Sequence, residues 1–338
     1  MFRILKLPIV ILLLSGLTAV HAQAPVRGGT MTIALPTEPA HLNSAIDTTQ
    51  QVKIVAGKIY NGLVKYDLKM NMLPDLAQSW NVSADGRRIT FNLRHGVKWH
   101  DGKDFTSADV AFSIMKGFGP NNGLVRTTFA NVETVQTPDP FTAVLVMRQP
   151  AAALMNALPV ATATILPAHI YDNTDIRRNP ANMKPVGTGP FMFSEWRRGD
   201  SIVLVRNSNY FEAGKPYMDR IVFKIIPDTQ ARGAAVESGS VDMVFHSTLA
   251  ASDARRLGAL KNLELTTEGY FFDSTVSFLE FNAENPIVGK TAVRQALAHA
   301  IDRKFILDNV WMGFGKVATS PIHYGLTLLS RRHAMMSA

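Results

Sequence analysis

Apolar positions along the chain recur with two different spacings, and stretches of the two kinds alternate. Spacing near 3.6 residues predicts helices over 52–60, 106–117, 229–238 and 293–301, with a shorter one over 151–158. Alternating or β-branched apolar runs predict strands over Thr30–Leu35, 79–83, 88–93, 132–135, 142–147, 202–206, 221–226, 241–245, 263–267 and 276–282. The helix over 293–301 has the clearest stripe: Val293, Ala296, Leu297, Ala300 and Ile301 fall on one face. Asp302 can cap a second short helix over 303–312, which Gly313 and Gly315 stop. Pro321 then forces an extended exit.

Turn chemistry places the boundaries. Asp85-Gly86 is a hairpin pair between two strand runs, and Asp101-Gly102 is a second turn. Thr106 with Asp109 three residues on forms a capping box, Asp standing in for the usual Glu. Asp228 caps the helix that follows the strand at 221–226, and Gly239 ends it. Gly187-Thr188-Gly189 is a tight glycine loop with a β-type run after Pro190. Strands and helices interleaved in this way predict an α/β fold. No internal repeat or low-complexity tract interrupts it.

The N-terminus changes the picture of where the protein works. Arg3 and Lys6 precede an apolar stretch over 7–17, and Ala22 and Ala24 offer small residues for cleavage. That stretch of about a dozen residues falls short of the ~20 needed to span a bilayer. An export signal over 1–24, cleaved after Ala22 or Ala24, is expected. The chain has no cysteine, which removes disulfides, thiolate chemistry and a lipid anchor on cysteine. The net charge of +8 is spread over scattered pairs such as Arg177-Arg178 and Arg197-Arg198. No basic run interleaved with aromatics is present, so no nucleic-acid partner is expected.

No catalytic or metal-binding constellation stands out. His100, Asp101 and Asp104 are close in sequence, but Asp101 belongs to a turn and metal sites want three or four converging ligands. His299 and Asp302 are helix-spaced, but Asp302 serves as a cap. The 313–316 stretch, Gly-Phe-Gly-Lys, lacks the phosphate-loop spacing and its preceding strand. No nucleophile elbow exists. Trp80, Trp99 and Trp196 are expected as core or strand-face anchors. The residues therefore point to a binding module that is not an enzyme, with no cofactor and no metal.

The wording of several segments is rarer than their periodicity. The Ala-Ile-Asp-Arg segment at 300–303 is followed by Gly313-Phe314-Gly315 and by Ala-Thr-Ser-Pro-Ile at 318–322. Upstream lie 85–94, 97–102, 187–191, 207–211, 214–217 and 239–242 in the same linear order. Together these resemble extracellular solute-binding proteins of family 5, the peptide/nickel-binding components of ABC importers. The resemblance implies a type II periplasmic-binding-protein-like α/β fold: two lobes with a small extra subdomain in the first. It implies lobe I over 25–50 and 176–267, the inserted subdomain over 51–175, and the start of lobe II over 268–325. Residues 326–338 carry no family pattern. The second lobe is expected to be incomplete, with ligand affinity weak or absent and the stripe at 293–301 left open, the alternative being a non-functional truncated fragment of such a protein. The resemblance further implies a monomer in the periplasm that takes a peptide or similar small solute and docks on an inner-membrane ABC permease. The loop after the first strand, 36–43, would line the cleft, with Thr37, Glu38, His41 and Asn43 as ligand-binding candidates.

Overall fold

The computed structural model describes residues 25–150, 152–245, 248–266 and 276–320. The expected export signal and the 326–338 tail lie outside them. β1 (Thr30–Leu35) is followed by α1 (Gln50–Ile59) and a small hairpin of β2 (Val64–Tyr66) and β3 (Met72–Pro74). β4 (Ala77–Val82) and β5 (Arg88–Leu93) form the hairpin anticipated at Asp85-Gly86, where Gly86 sits at φ +66.

α2 (Ser107–Phe112) starts on the expected capping box, with both reciprocal bonds between Thr106 and Asp109 in place. It widens into a π-turn over Ser113–Gly117, then continues as α3 (Phe118–Asn121). Ser113 explains the widening. Its hydroxyl donates to the Asp109 carbonyl at 2.6 Å and accepts from the Leu166 amide at 2.8 Å, drawing a neighbouring segment into the helix turn. α4 (Arg126–Phe129), β6 (Val132–Asp139), β7 (Thr142–Met147) and α5 (Ala168–Tyr171) complete this region. β4, β5, β7 and β6 lie side by side in one antiparallel sheet.

The chain then returns to the first strand. β8 (Phe191–Arg197), β9 (Ser201–Arg206) and β10 (Arg220–Ile225) run as an antiparallel meander, and α6 (Thr229–Glu237) leads to β11 (Met243–Val244). The five-stranded sheet has the order β11-β1-β10-β9-β8, with β10 and β11 both parallel to β1. Asp228 caps α6 by accepting from the Ala231 amide at 2.7 Å. One continuous core joins the two larger sheets: Ile33 and Leu35 of β1 belong to the same buried cluster as Phe91 of β5 and Leu145 of β7.

Four sequence expectations differ from the structure. The 241–245 run yields only the two residues of β11. No strand forms at 263–266 or 276–282, and Thr267 lies outside the described residues. A strand exists only where a neighbour takes up its backbone hydrogen bonds. Among the described residues no strand pairs with either segment; Leu263 packs on the Ala34–Val241 cluster, whereas Phe278 is 78% exposed. α7 (Ala251–Leu257), whose short polar face gave no period, was not anticipated. α8 (Thr291–Ala300) forms as expected; the helix expected over 303–312 is a single turn, α9 (Arg303–Phe305), capped by Asp302 accepting from the Phe305 amide at 2.8 Å and followed by a π-turn over Ile306–Val310. α8 has no buried residue, so its apolar stripe lies open.

Candidate functional site

In an open α/β sheet, ligands bind outside the carboxyl ends of the strands. Here β1, β10 and β11 end together at Leu35, Ile225 and Val244. The loop after β1 and the β8–β9 turn meet at that end. The Ile225 amide donates to the Asp200 carbonyl at 2.8 Å, which holds the turn against the end of β10.

Glu38 joins the loop to the turn. Its Oε1 accepts from Trp196 Nε1 at 2.8 Å and from the Gly199 amide at 3.2 Å, and Arg198 Nη1 lies 3.5 Å away. The loop is fixed a second time at its far end. Asn43 is fully buried, donates to Asn182 Oδ1 at 2.8 Å and accepts from the Ala45 amide at 2.9 Å. Tyr171 donates to the same Asn182 oxygen at 3.1 Å, and Asn182 donates onward to the Ile176 carbonyl at 2.8 Å. Asn43 is thus a brace beneath the loop, with its amide committed to neighbours.

Around the two anchors the loop is only partly open, since Pro39 and Leu42 are buried. Thr37 is exposed. His41 is half-buried. Its Nδ1 accepts from the Asn43 amide at 3.2 Å, and Nε2 lies 3.7 Å from Asp47 Oδ2. Burial lowers the His41 pKa, Asp47 opposes that, and Arg177 adds to it. A neutral imidazole therefore sits on the loop at pH 7.

Beside this loop a groove of about 370 Å³ runs along the edge strand β8. Met183 and Lys184 form one wall, and Phe193, Glu195, Trp196 and Arg198 the other. The Arg198 guanidinium lies 3.8 Å from the Trp196 ring centroid. Trp196 also packs on the main core, and Trp99 is buried there at 1% exposure. Lys184 and Arg198 carry no sequence signal as site residues. The pairing of β8 with β9 brings Arg198, in their turn, near the end of β1.

The loop 187–189 lies at the opposite end of β8 from the β8–β9 turn and packs against the end of α1. A Cβ on Gly187 would lie 1.9 Å from the Ile59 carbonyl oxygen, and one on Gly189 2.5 Å from it. The Gly189 amide donates to that same carbonyl at 2.7 Å, closing the end of α1. His100 clamps the loop's other side, accepting from the Gly187 amide at 3.2 Å and facing the Gly189 carbonyl at 3.0 Å. Asp101 pairs with His169 at 2.7 Å and Asp104 with Lys98 at 2.6 Å, so the three residues clustered in sequence point to three different partners. Among the described residues no three His, Cys, Asp or Glu side chains converge. None of the described helices is long and apolar enough to cross a membrane.

The model of the bacterial extracellular solute-binding proteins, family 5, matches residues 71–330. The chain belongs to this family. The oligopeptide-binding protein AppA of Bacillus subtilis is 31% identical over 308 residues, covering 89% of this chain and 55% of AppA. The glutathione-binding protein GsiB of Salmonella paratyphi A is 31% identical, covering 82% of this chain and 52% of GsiB. The solved structure of AppA with a nonapeptide superposes with a TM-score of 0.75 at 29% identity, over 90% of this chain and 60% of that one. NikZ of Campylobacter jejuni with Ni(L-His) gives 0.73 at 27%, over 86% and 57%. The chain thus spans about half the length of the curated relatives it matches. The fold is that of the type II periplasmic binding proteins.

Proposed function

We propose that the chain is the solute-binding component of an ABC importer, taking peptides or a similar small solute in the periplasm and delivering them to an inner-membrane permease. Family membership over residues 71–330 carries this reading. The position of the 36–43 loop and the groove, at the carboxyl end of the parallel strands, supports it. On this reading Thr37, Glu38 and His41 line the cleft, Glu38 by way of Trp196 and Arg198, and Asn43 holds the loop in place from beneath. The chain acts as a binding protein and not as an enzyme, and works as a monomer. Lobe I comprises 25–50 and 176–267, the inserted subdomain 51–175, and lobe II begins at 268. Residues 1–22 or 1–24 are removed on export. Calorimetric titration of the purified protein with di- to pentapeptide pools tests the central claim. Saturable heat is expected from at least one pool, and flat titrations with every pool up to millimolar concentrations refute peptides as the ligand.

A further inference from the structure

The groove beside β8 contains two cations with hydrogen-bonding capacity to spare. Arg198 has five N–H donors. Its Nη1 is 3.5 Å from Glu38 Oε1, beyond a good hydrogen bond, and its Nη2 is 3.7 Å from Met183 Sδ, a weak acceptor. Stacking on Trp196 fixes the plane of the guanidinium without using those donors. Lys184, on the facing wall, is exposed and has no ion pair or hydrogen bond among the described residues. Glu195 is the carboxylate among the lining residues, and Arg197 draws it off at 2.7 Å. The groove therefore offers the Lys184 ammonium on one wall and, on the other, the Arg198 guanidinium beside the apolar surfaces of Phe193 and Trp196, with Glu38 3.5 Å from Arg198. The groove, of about 370 Å³, is open to solvent along one side.

We propose that this groove binds the carboxylate of a solute with an apolar body, either a free organic acid or the C-terminus of a peptide. The carboxylate bridges Lys184 Nζ and the Arg198 guanidinium, displacing the weak contact to Met183. The apolar body lies on Phe193 and Trp196. This rests on the solute-binding reading above and specifies the ligand chemistry. A planar carboxylate suits a planar guanidinium already oriented by stacking, because little side-chain freedom remains to be lost.

The probes are N-acetyl-phenylalanine and the tetrapeptide Ala-Ala-Ala-Phe, each as free acid and as C-terminal amide. Binding to the purified protein is followed by calorimetry and by the Trp196 indole N–H signal, assigned with W196F. The acids are expected to bind about ten-fold or more tighter than the amides, the usual worth of a charge-assisted contact. Lys184→Gln and Arg198→Gln should each lower acid affinity by about ten-fold, leave amide affinity within about two-fold, and leave the thermal midpoint unmoved. A tetrapeptide acid binding tighter than the N-acetyl amino acid identifies a peptide terminus as the source; equal affinities identify free acids. Acids and amides binding alike, variants that keep acid affinity, or an unmoved Trp196 signal would each overturn the proposal. Saturable heat from the peptide pools together with any of these results leaves the solute-binding reading standing; flat titrations with pools and acids alike remove both.

Discussion

Two buried titratable side chains oppose each other in setting how stability varies with pH. Asp75 is 2% exposed, accepts from Asn61 at 2.9 and 3.1 Å, and is pushed up to about 6 by burial. Unfolded, it titrates near 4. Its folded form holds the proton longer, so its contribution is full below pH ~4 and is lost as pH rises through about 6. His100 behaves in the opposite sense. Burial lowers it to about 4, so its contribution is full above the unfolded value of ~6.5 and is lost as pH falls toward 4. Each term is on the order of 2–3 kcal/mol and they largely cancel across this window. Asp75→Asn should therefore steepen acid destabilisation between pH 6.5 and 4. His100→Gln should reverse the slope, making the protein more stable at pH 4.5 than at 6.5. Urea titrations at four pH values across the window check both, and parallel curves for wild type and variants would refute the assignment.

At the scale of elements, the end of α1 and the 187–189 loop form one unit. A methyl at Gly189 would meet the Ile59 carbonyl at 2.5 Å and force apart the bond its own amide makes there. Overpacking of this kind costs about 1–3 kcal/mol, so Gly189→Ala should lower the thermal midpoint by several degrees, read by circular dichroism. α8 predicts the reverse behaviour. Leu297 and Ile301 are 36% and 37% exposed and lie on a stripe with no buried member. Replacing both by Lys should leave the midpoint unchanged while reducing self-association seen by light scattering, because exposed apolar faces attract one another. A midpoint several degrees lower would show that these side chains are packed in solution.

Across the whole molecule, burial is uneven. The two larger sheets share one core, whereas among the described residues 276–320 none is buried. Segments with few buried apolar groups open at low free energy cost. Limited proteolysis is therefore expected to cut first within 276–320 and to leave a resistant product that retains both sheets. Early cuts within 77–147, before any in 276–320, would contradict this. The two sheets should unfold in a single transition, since β1 and β5 contribute to the same cluster.

What could be read in the sequence was local or distinctive in wording. Asp85-Gly86, the Thr106–Asp109 box and the Asp228 and Asp302 caps each act within about four residues, so the chain itself determines them. The family motifs likewise fixed the fold class without any contact being known. The tertiary structure alone decided which extended runs become strands: Thr30–Leu35 found β10 and β11 as neighbours, and 276–282 found none among the described residues. It also decided the site. Glu38 and Arg198 are 160 residues apart, and no spacing rule links them. They meet because the β8–β9 hairpin carries its turn to the end of the sheet that β1 begins, where Trp196 and Gly199 both donate to one Glu38 oxygen. Hydrogen bonds and charge act over a few ångströms of space, so contacts of this range are settled only when the sheet assembles.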